Sequence, residues 1–492
     1  MATSQAALEK VPPSAFVTGA LPPAPWKWMA PVAVGVLVAA LPTPAGLTPN
    51  AMRYFALFSA VITALVTEPL PAPAIGLIGM ALAAAARLVA PDTDASLKWA
   101  ISGFSSSTVW LVFAAFTFAL GYEKTGLGRR IALMLVKGLG SRTLGLGYAI
   151  MLAEVVLAPF TPSNSARSAG TIFPIIRNIP PLYGSHPGET SRRIGAYVMW
   201  VAFAATAVTS SLFLTALAPN LLAVEMVYKT TGHEITMAEW IRGFLPMGVA
   251  LLVVLPWLIY KVYPPEVTGG SEVPLWAGRE LAQMGPVSRS EWVMGALAVL
   301  AVAFWIRGGE VIEPTAVALV AIALMLLTRI VGWEDIAGNR AGWSTLVLLA
   351  TLVALADGLN KVGFITWFAQ GSARALGGLP PFAVMAGLVS LFFLSHYFFA
   401  SITAHTTAVL PVVLAAGAAL PALPQRPFAM LLCYSLGMMG ILTPYATGPA
   451  PVYFGAGYIS RKAFWSLGLF FGLLFLAVLL GVGAPYLAAS FP

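Results

Sequence analysis

Charged residues are scarce in this sequence. Only 9% of its 492 residues are Asp, Glu, Lys or Arg, whereas 59% are hydrophobic. Because soluble domains carry about a quarter charged residues, this composition excludes a soluble enzyme of this length. It predicts an all-α polytopic membrane protein.

Cysteine is almost absent as well. The single Cys433 excludes an internal disulfide and any metal site built from several cysteines. The sequence has no phosphate-binding glycine loop and no cluster of metal ligands, so we expect no cofactor and no metal. The net charge of +8 could suggest nucleic acid, but in a membrane protein it predicts basic cytoplasmic loops instead. We expect no nucleic-acid partner.

Apolar runs in this sequence fall into two kinds. Eleven of them are about the length that one membrane-spanning helix needs. Two further stretches, 144–178 and 379–418, are interrupted by polar tips at 161–168 and 400–407. Their arms, each of about 15 residues, are too short for two full crossings, so these stretches predict re-entrant hairpins surrounded by protein or by a watery cavity.

The positive charges are unevenly distributed. If the N-terminus lies inside, the inner segments hold about twice as many Lys and Arg residues as the outer ones, as the positive-inside rule requires. The segment 1–28 has no apolar core before Trp26 and does not form a secretory signal. We therefore expect a multi-pass protein of the bacterial cytoplasmic (inner) membrane, embedded in the lipid bilayer with a cytoplasmic N-terminus.

The two halves of the chain repeat each other. "ALGYEKTGLG" at 119–128 aligns with "ADGLNKVGFI" at 356–365, and "SNSARS" at 163–168 aligns with "SITAHT" at 401–406. With the predicted topology, the first hairpin enters from the inside and the second from the outside. The repeat is then inverted, which is typical of secondary transporters.

The hairpin tips are the strongest candidates for a binding site. The substrate-binding candidates in them are Ser163, Asn164, Ser165, Ser401 and Thr403. A helix that begins at such a tip presents unbonded amides and the positive end of its dipole, and both attract anions. Two tips that meet would hold a molecule with two carboxylates. The alternative is that the hydroxyls only cap the hairpin helices.

Each hairpin is followed by a span that Pro and Gly interrupt, "TSSLFLTALAPN" at 209–220 and "LTPYATGPAPVYFG" at 442–455. Backbone groups freed at such a break can coordinate an ion or a substrate group. We therefore add Thr447, Gly448 and Pro449 to the substrate-binding candidates. The alternative is a simple kink.

Two side chains are candidates for fixed positive charges near the substrate. Arg167 keeps its proton at any ordinary pH, so at membrane depth it needs a partner. That partner could be a substrate carboxylate or Glu154. His405 aligns with Arg167 in the repeat and is either a second cation or a neutral core residue. His396, in the apolar arm of the second hairpin, is interpreted as a packing residue.

Three motifs, "TPSNSARSAGTIFPII" at the first tip and "TSSLFLTALAPN" and "LTPYATGPAPVYFGAGY" at the two breaks, resemble the divalent anion:sodium symporter family. The similarity is strongest to its exchanger branch, the citrate/succinate, tartrate/succinate and 2-oxoglutarate/malate translocators. It covers nearly the whole chain beyond residue 29. The resemblance implies a homodimer in which a transport domain carries substrate past a scaffold domain in an elevator motion.

The family's Ser-Asn-Thr signature, which occurs once in each hairpin, falls on 163–165 and 401–403. Sodium-coupled members keep Asn in the second signature, whereas this chain has Ile402, which has no oxygen to offer sodium. Arg167 and His405 stand where those members keep an uncharged residue. These departures put sodium coordination in doubt.

Together these features predict a sodium-independent antiporter of di- and tricarboxylates, such as succinate, malate, 2-oxoglutarate, tartrate or citrate. A sodium-coupled symporter of the same anions is the first alternative. A membrane-embedded hydrolase that uses Ser163 or Ser401 with His405 is a remote one. The expected division of the chain is a tail (1–28), scaffold helices (29–103), a first repeat (104–263), a cytoplasmic connector (264–290), further scaffold helices (291–340) and a second repeat (341–492).

Overall fold

The computed structural model describes residues 24–307 and 312–491. Helices account for most of this part of the chain, and its only β-type pairing is a single bridge between Arg142 and Gly269. The all-α prediction is confirmed.

The first helix already begins at Pro25, because proline fits the first helical position, where its missing N–H costs no hydrogen bond. The end of the predicted tail 1–28 is therefore helical. The remainder of that tail, 1–23, lies outside the described residues.

Twelve α-helices lie in the described part of the first half of the chain. They are α1 (Pro25–Ala40), α2 (Pro49–Thr67), α3 (Ala72–Ala85), α4 (Thr93–Ile101), α5 (Ser107–Thr125), α6 (Leu127–Leu139), α7 (Thr143–Leu157), α8 (Phe173–Ile176), α9 (Ile179–Leu182), α10 (Gly195–Leu212), α11 (Ala218–Thr231) and α12 (Met237–Val262).

The connector and the second half contain twelve more. They are α13 (Glu272–Met284), α14 (Arg289–Arg307), α15 (Pro314–Leu327), α16 (Trp333–Ala337), α17 (Arg340–Lys361), α18 (Phe364–Leu376), α19 (Pro381–Ser395), α20 (Ile402–Ala418), α21 (Gln425–Met438), α22 (Pro449–Gly455), α23 (Arg461–Val478) and α24 (Ala484–Ser490).

The predicted spans coincide with these helices. Eight helical segments of the described chain are long and apolar enough to cross a membrane, or nine if the bent pair Thr93–Ser105 and Ser107–Thr125 forms one span. Two of the eight are the descending arms of the hairpins. The remaining predicted spans are the shorter apolar helices α1, α3 and α15, and α21 with α22, which together form a broken helix.

Both predicted hairpins are present. In the first, α7 ends in a 3₁₀ turn at Phe160, and the chain returns through a π-helix, Ser165–Ile172, and α8. In the second, α19 ends in a 3₁₀ turn at Phe398 and the chain returns through α20. A π-helical stretch is rare and occurs mostly at functional sites.

The aligned glycines of the two halves have the same local role. Gly126 follows α5 with φ of 74°, and Gly363 follows α17 with φ of 83°. A residue with a side chain rarely adopts this left-handed conformation, which ends a helix and redirects the chain. Each glycine therefore starts the short helix, α6 or α18, that leads into a hairpin.

The halves also pack reciprocally. The broken span of the first half contacts the second hairpin, α11 against α20, and that of the second half contacts the first hairpin, α22 against the π-helix. Helices α10 and α21 pack against each other between them. This crosswise exchange of contacts is what a two-fold relation between inverted repeats produces. It brings both tips and both breaks to one place.

Candidate functional site

Each hairpin tip begins its return helix in the same way. The Ser163 hydroxyl accepts the amide of Ala166 at 3.2 Å, and the Ser401 hydroxyl accepts the amide of Ala404 at 3.3 Å. Both serines therefore cap their helices, as the capping alternative expects. A serine hydroxyl that accepts one bond still has its proton to donate, so capping does not exclude binding.

The tips and the second break enclose one cavity of about 330 Å³. Seven of the eight predicted substrate-binding residues line it: Ser163, Asn164, Ser165, Ser401, Thr403, Thr447 and Gly448. Pro449 does not line it, and its part in substrate binding stays a prediction. Pro449 occupies the first position of helix α22 and starts that helix away from the cavity lining.

Direct contacts join the first tip to the second break. The side-chain amide of Asn164 donates to the Thr447 hydroxyl at 2.8 Å. Thr447 can then donate its own proton into the cavity. A side chain at Gly448 would clash with the Ser165 hydroxyl and would lie 3.1 Å from the Ser165 Cβ. Glycine at this position therefore allows the close approach of tip and break.

The guanidinium of Arg167 lies behind the first tip, away from the cavity wall. Its Nε donates to Glu154 at 2.8 Å, and both side chains are fully buried. Its Nη1 donates to the carbonyls of Thr161 at 3.1 Å and Ala216 at 2.9 Å, and its Nη2 donates to two hydroxyls of α10. The Thr206 hydroxyl also donates to Glu154.

Of the two partners considered for Arg167, a substrate carboxylate and Glu154, the structure shows the ion pair with Glu154. The guanidinium is neutralised and hydrogen-bonded within the protein, so the structure gives no support to a fixed cation that faces the substrate. Burying the group is tolerable because its charge is paired and its donors are satisfied.

The ring of His405 is also turned away from the cavity. Its Nε2 lies 3.0 Å from the hydroxyl of Ser395, which itself donates to the carbonyl of Phe392. The ring packs between Phe392 and Phe399, with centroids 4.7 Å from each. No carboxylate among the described residues pairs with it. This is the environment of a neutral core histidine and does not support a second fixed cation.

His396 is fully buried, as expected of a packing residue, and it also bonds to the second break. Its Nε2 lies 2.8 Å from the carbonyl of Ala446 in the second break. Since a carbonyl can only accept, this nitrogen must carry the proton. His396 thus fastens the second hairpin to the break, as Arg167 fastens the first hairpin through the carbonyl of Ala216.

The structure also adds a wall that the sequence did not indicate. Phe116 of α5 and Thr345, Leu348 and Leu349 of α17 line the cavity. These residues lie outside the repeated motifs, and a threonine in an apolar helix carries no recognisable signal.

The sequence model described as the transmembrane region of sodium:sulfate symporters matches residues 24–489. The chain belongs to the divalent anion:sodium symporter family. It is 48% identical to a citrate/succinate antiporter of Escherichia coli (strain K12), over 94% of this chain and 98% of the relative. It is 47% identical to an L-tartrate/succinate antiporter of the same strain, over 93% and 97%.

The fold is similar to that of the Alcanivorax borkumensis YdaH transporter, described as having an unusual topology. The TM-score is 0.55 at 14% identity, with 86% of this chain and 98% of the other covered. Membership in the symporter family and this fold identify a multi-pass membrane transporter and not an enzyme. Consistent with this, His405 contacts Ser395 and neither of the tip serines that the hydrolase alternative requires.

Proposed function

We propose that this protein exchanges di- and tricarboxylates across the bacterial cytoplasmic membrane without sodium. The observation that carries the proposal is the single cavity at which two hairpin tips and a broken helix meet. The relatives are antiporters of citrate, tartrate and succinate by name. We apply that class of substrate to this chain.

The cavity is suited to carboxylates although no charged side chain lines it. Each return helix directs toward the tip its positive dipole end and those first amides that the tip serines do not cap. The hydroxyls of Ser163, Ser401, Thr403 and Thr447 add donors that match carboxylate oxygens. One carboxylate at each tip gives a binding mode for a molecule with an acidic group at both ends.

Two hydrogen bonds between the hairpins and the breaks support sodium independence. Carbonyls freed at broken helices coordinate mobile cations in sodium-coupled carriers. Here N–H donors of Arg167 and His396 already bind the carbonyls of Ala216 and Ala446. At the second tip, Ile402 has no oxygen to offer. Resident side chains thus take the role that a mobile ion would have.

We propose obligatory exchange because moving the empty carrier, with no anion in its cavity, costs electrostatic free energy. Two helix N-termini together present about one positive elementary charge. A bound dianion offsets this charge, whereas the empty carrier moves it uncompensated past low-dielectric protein. A barrier higher by about 1.4 kcal/mol already slows the return step tenfold.

Exchange and sodium dependence can be measured in one experiment. We expect proteoliposomes in choline buffer to take up labelled succinate about tenfold faster when preloaded with unlabelled succinate than when empty. Replacing choline with sodium should change this rate by less than about twofold, since that corresponds to under 0.4 kcal/mol. Equal uptake into both vesicle sets, or strong stimulation by sodium, would favour the symporter alternative.

A second prediction concerns the second hairpin. Thr403→Val should raise the half-saturating succinate concentration about tenfold, because a hydrogen bond to a charged group contributes about 1.5–3 kcal/mol. Thr406→Val is the matched control. Thr406 lies one turn along α20, outside the cavity, and its hydroxyl binds the carbonyl of Ile402 at 2.8 Å. Equal effects of both substitutions would mean that the second tip does not bind substrate.

The remaining parts of the proposal concern assembly and motion. We propose a homodimer with a cytoplasmic N-terminus, in which the hairpins and the broken spans move as an elevator past α5 and α17. Helices α5 and α17 pack against each other and against α15 and α3, and they also contact α11 of the first broken span. A cross-link between Phe116→Cys and Ser165→Cys, in a chain whose natural Cys433 is replaced by alanine, should stop exchange reversibly.

A further inference from the structure

The wall formed by α5 and α17 is apolar except at one position. Phe116, Leu348 and Leu349 offer only carbon to the cavity, and Thr345 is the one polar side chain among them. All other polar lining residues belong to the tips or to the second break. Thr345 therefore offers a bound molecule a polar contact that comes from neither the tips nor the second break.

The hydroxyl of Thr345 is not used by its own helix. Threonines in membrane helices usually donate to the carbonyl three or four residues earlier. Thr351 of the same helix does so to Leu348 at 2.9 Å, and Thr407 of α20 does so to Thr403 at 2.8 Å. No hydrogen bond joins the Thr345 hydroxyl to another described residue. A half-buried hydroxyl in an apolar wall is thus left for a ligand.

We propose that Thr345 is a specificity-determining residue that binds a hydroxyl group on the middle carbons of the substrate. The inference rests on the proposed function. If the tips hold the two terminal carboxylates, the carbons between them face this wall. The methylenes of succinate suit its leucines, and a 2-hydroxydicarboxylate such as malate brings its hydroxyl to Thr345.

The expected preference for malate over succinate follows from how the polar groups pair. A hydroxyl can both donate and accept, so Thr345 and a substrate hydroxyl satisfy each other. When succinate binds, the Thr345 hydroxyl has no partner in the ligand, and this favours the hydroxylated acid. Sites that hydrogen-bond a substrate hydroxyl reject analogues without it more strongly than apolar pockets distinguish methylenes.

The experiment compares two acids that differ by one hydroxyl. L-Malate and succinate compete against labelled succinate in preloaded proteoliposomes that contain the wild type, Thr345→Val, Thr345→Ser or Thr351→Val. In Thr345→Val the ratio of the half-saturating concentration of malate to that of succinate should rise about fivefold, the effect of one neutral hydrogen bond. Thr345→Ser should restore the wild-type ratio, and Thr351→Val should retain it.

The outcomes separate the inference from the proposed function. An unchanged ratio in Thr345→Val, or equal weakening of both acids, would show that Thr345 does not read the hydroxyl and would overturn the inference alone. A rise of the ratio in Thr351→Val as well would assign the effect to helix α17 in general and overturn it too. No succinate exchange by the wild type would overturn the proposed function, and the inference with it.

Discussion

Replacing Arg167 with methionine is expected to abolish exchange and to destabilise the protein. The substitution leaves the carboxylate of Glu154 fully buried without its partner. Removing one member of a buried ion pair costs about 3–5 kcal/mol. It also deprives the carbonyls of Thr161 and Ala216 of the donor that joins the first tip to the first break. Thermal unfolding in detergent and exchange in proteoliposomes measure the two effects.

A double substitution separates the effect of the unpaired buried charge from the effect of the lost hydrogen bonds between tip and break. Glu154→Leu with Arg167→Met replaces the pair with apolar side chains, and it should recover much of the stability because no charge remains buried alone. Exchange should stay low because tip and break remain unjoined. Arg129→Met is the control, since Arg129 forms an exposed pair with Glu280 at 2.6 Å and such pairs contribute little. If the double variant were no more stable than Arg167→Met, the pairing argument would fail.

Gly448→Ala should cause the second large loss of transport. The added methyl group would displace the Ser165 hydroxyl from the place where the first tip meets the second break. Overpacking costs about 1–3 kcal/mol. This corresponds to a loss of about fivefold to 150-fold in the ratio of the maximal exchange rate to the half-saturating concentration. Counterflow of labelled succinate measures this quantity.

Gly455→Ala provides the matched control for this substitution. Gly455 ends the same short helix, and a methyl group added there would meet no atom within 4 Å. We expect exchange close to that of the wild type. Similar losses in both variants would indicate that α22 tolerates no alanine, and Gly448 would then have no special part in the site.

The sequence was sufficient for the positions of the apolar helices and of the two interrupted hairpins. Apolar runs must match the thickness of the hydrocarbon layer, and polar tips inside such runs are tolerated only in hairpins. Both features can therefore be recognised from a short stretch of sequence. The aligned motifs also led to Ser163, Asn164, Ser401 and Thr403, which line one cavity. Hydroxyl and amide side chains inside an apolar run require hydrogen-bond partners. They can therefore be recognised as candidate site residues in such a sequence.

What the sequence did not determine was which of several possible partners each side chain contacts. Arg167 could pair with the substrate or with Glu154, and only packing shows Glu154 within reach. His396 lies in an apolar run, and its bond to Ala446 joins residues fifty positions apart. Thr345 lies outside every repeated motif. Such contacts depend on how distant helices pack, which residue spacing does not encode.

The neutral pair of Glu154 and Arg167 bears on how the membrane potential would act on the proposed exchange. Because the guanidinium has its own counter-ion, these two side chains would add no net charge to the proposed moving site. Exchange of one dianion for another should then be electrically silent. Exchange of a dianion for a trianion such as citrate should move one net charge, and it would be driven by about 2.3 kcal/mol for each 100 mV. The charge of the acids, and not of the protein, would decide whether exchange generates a current.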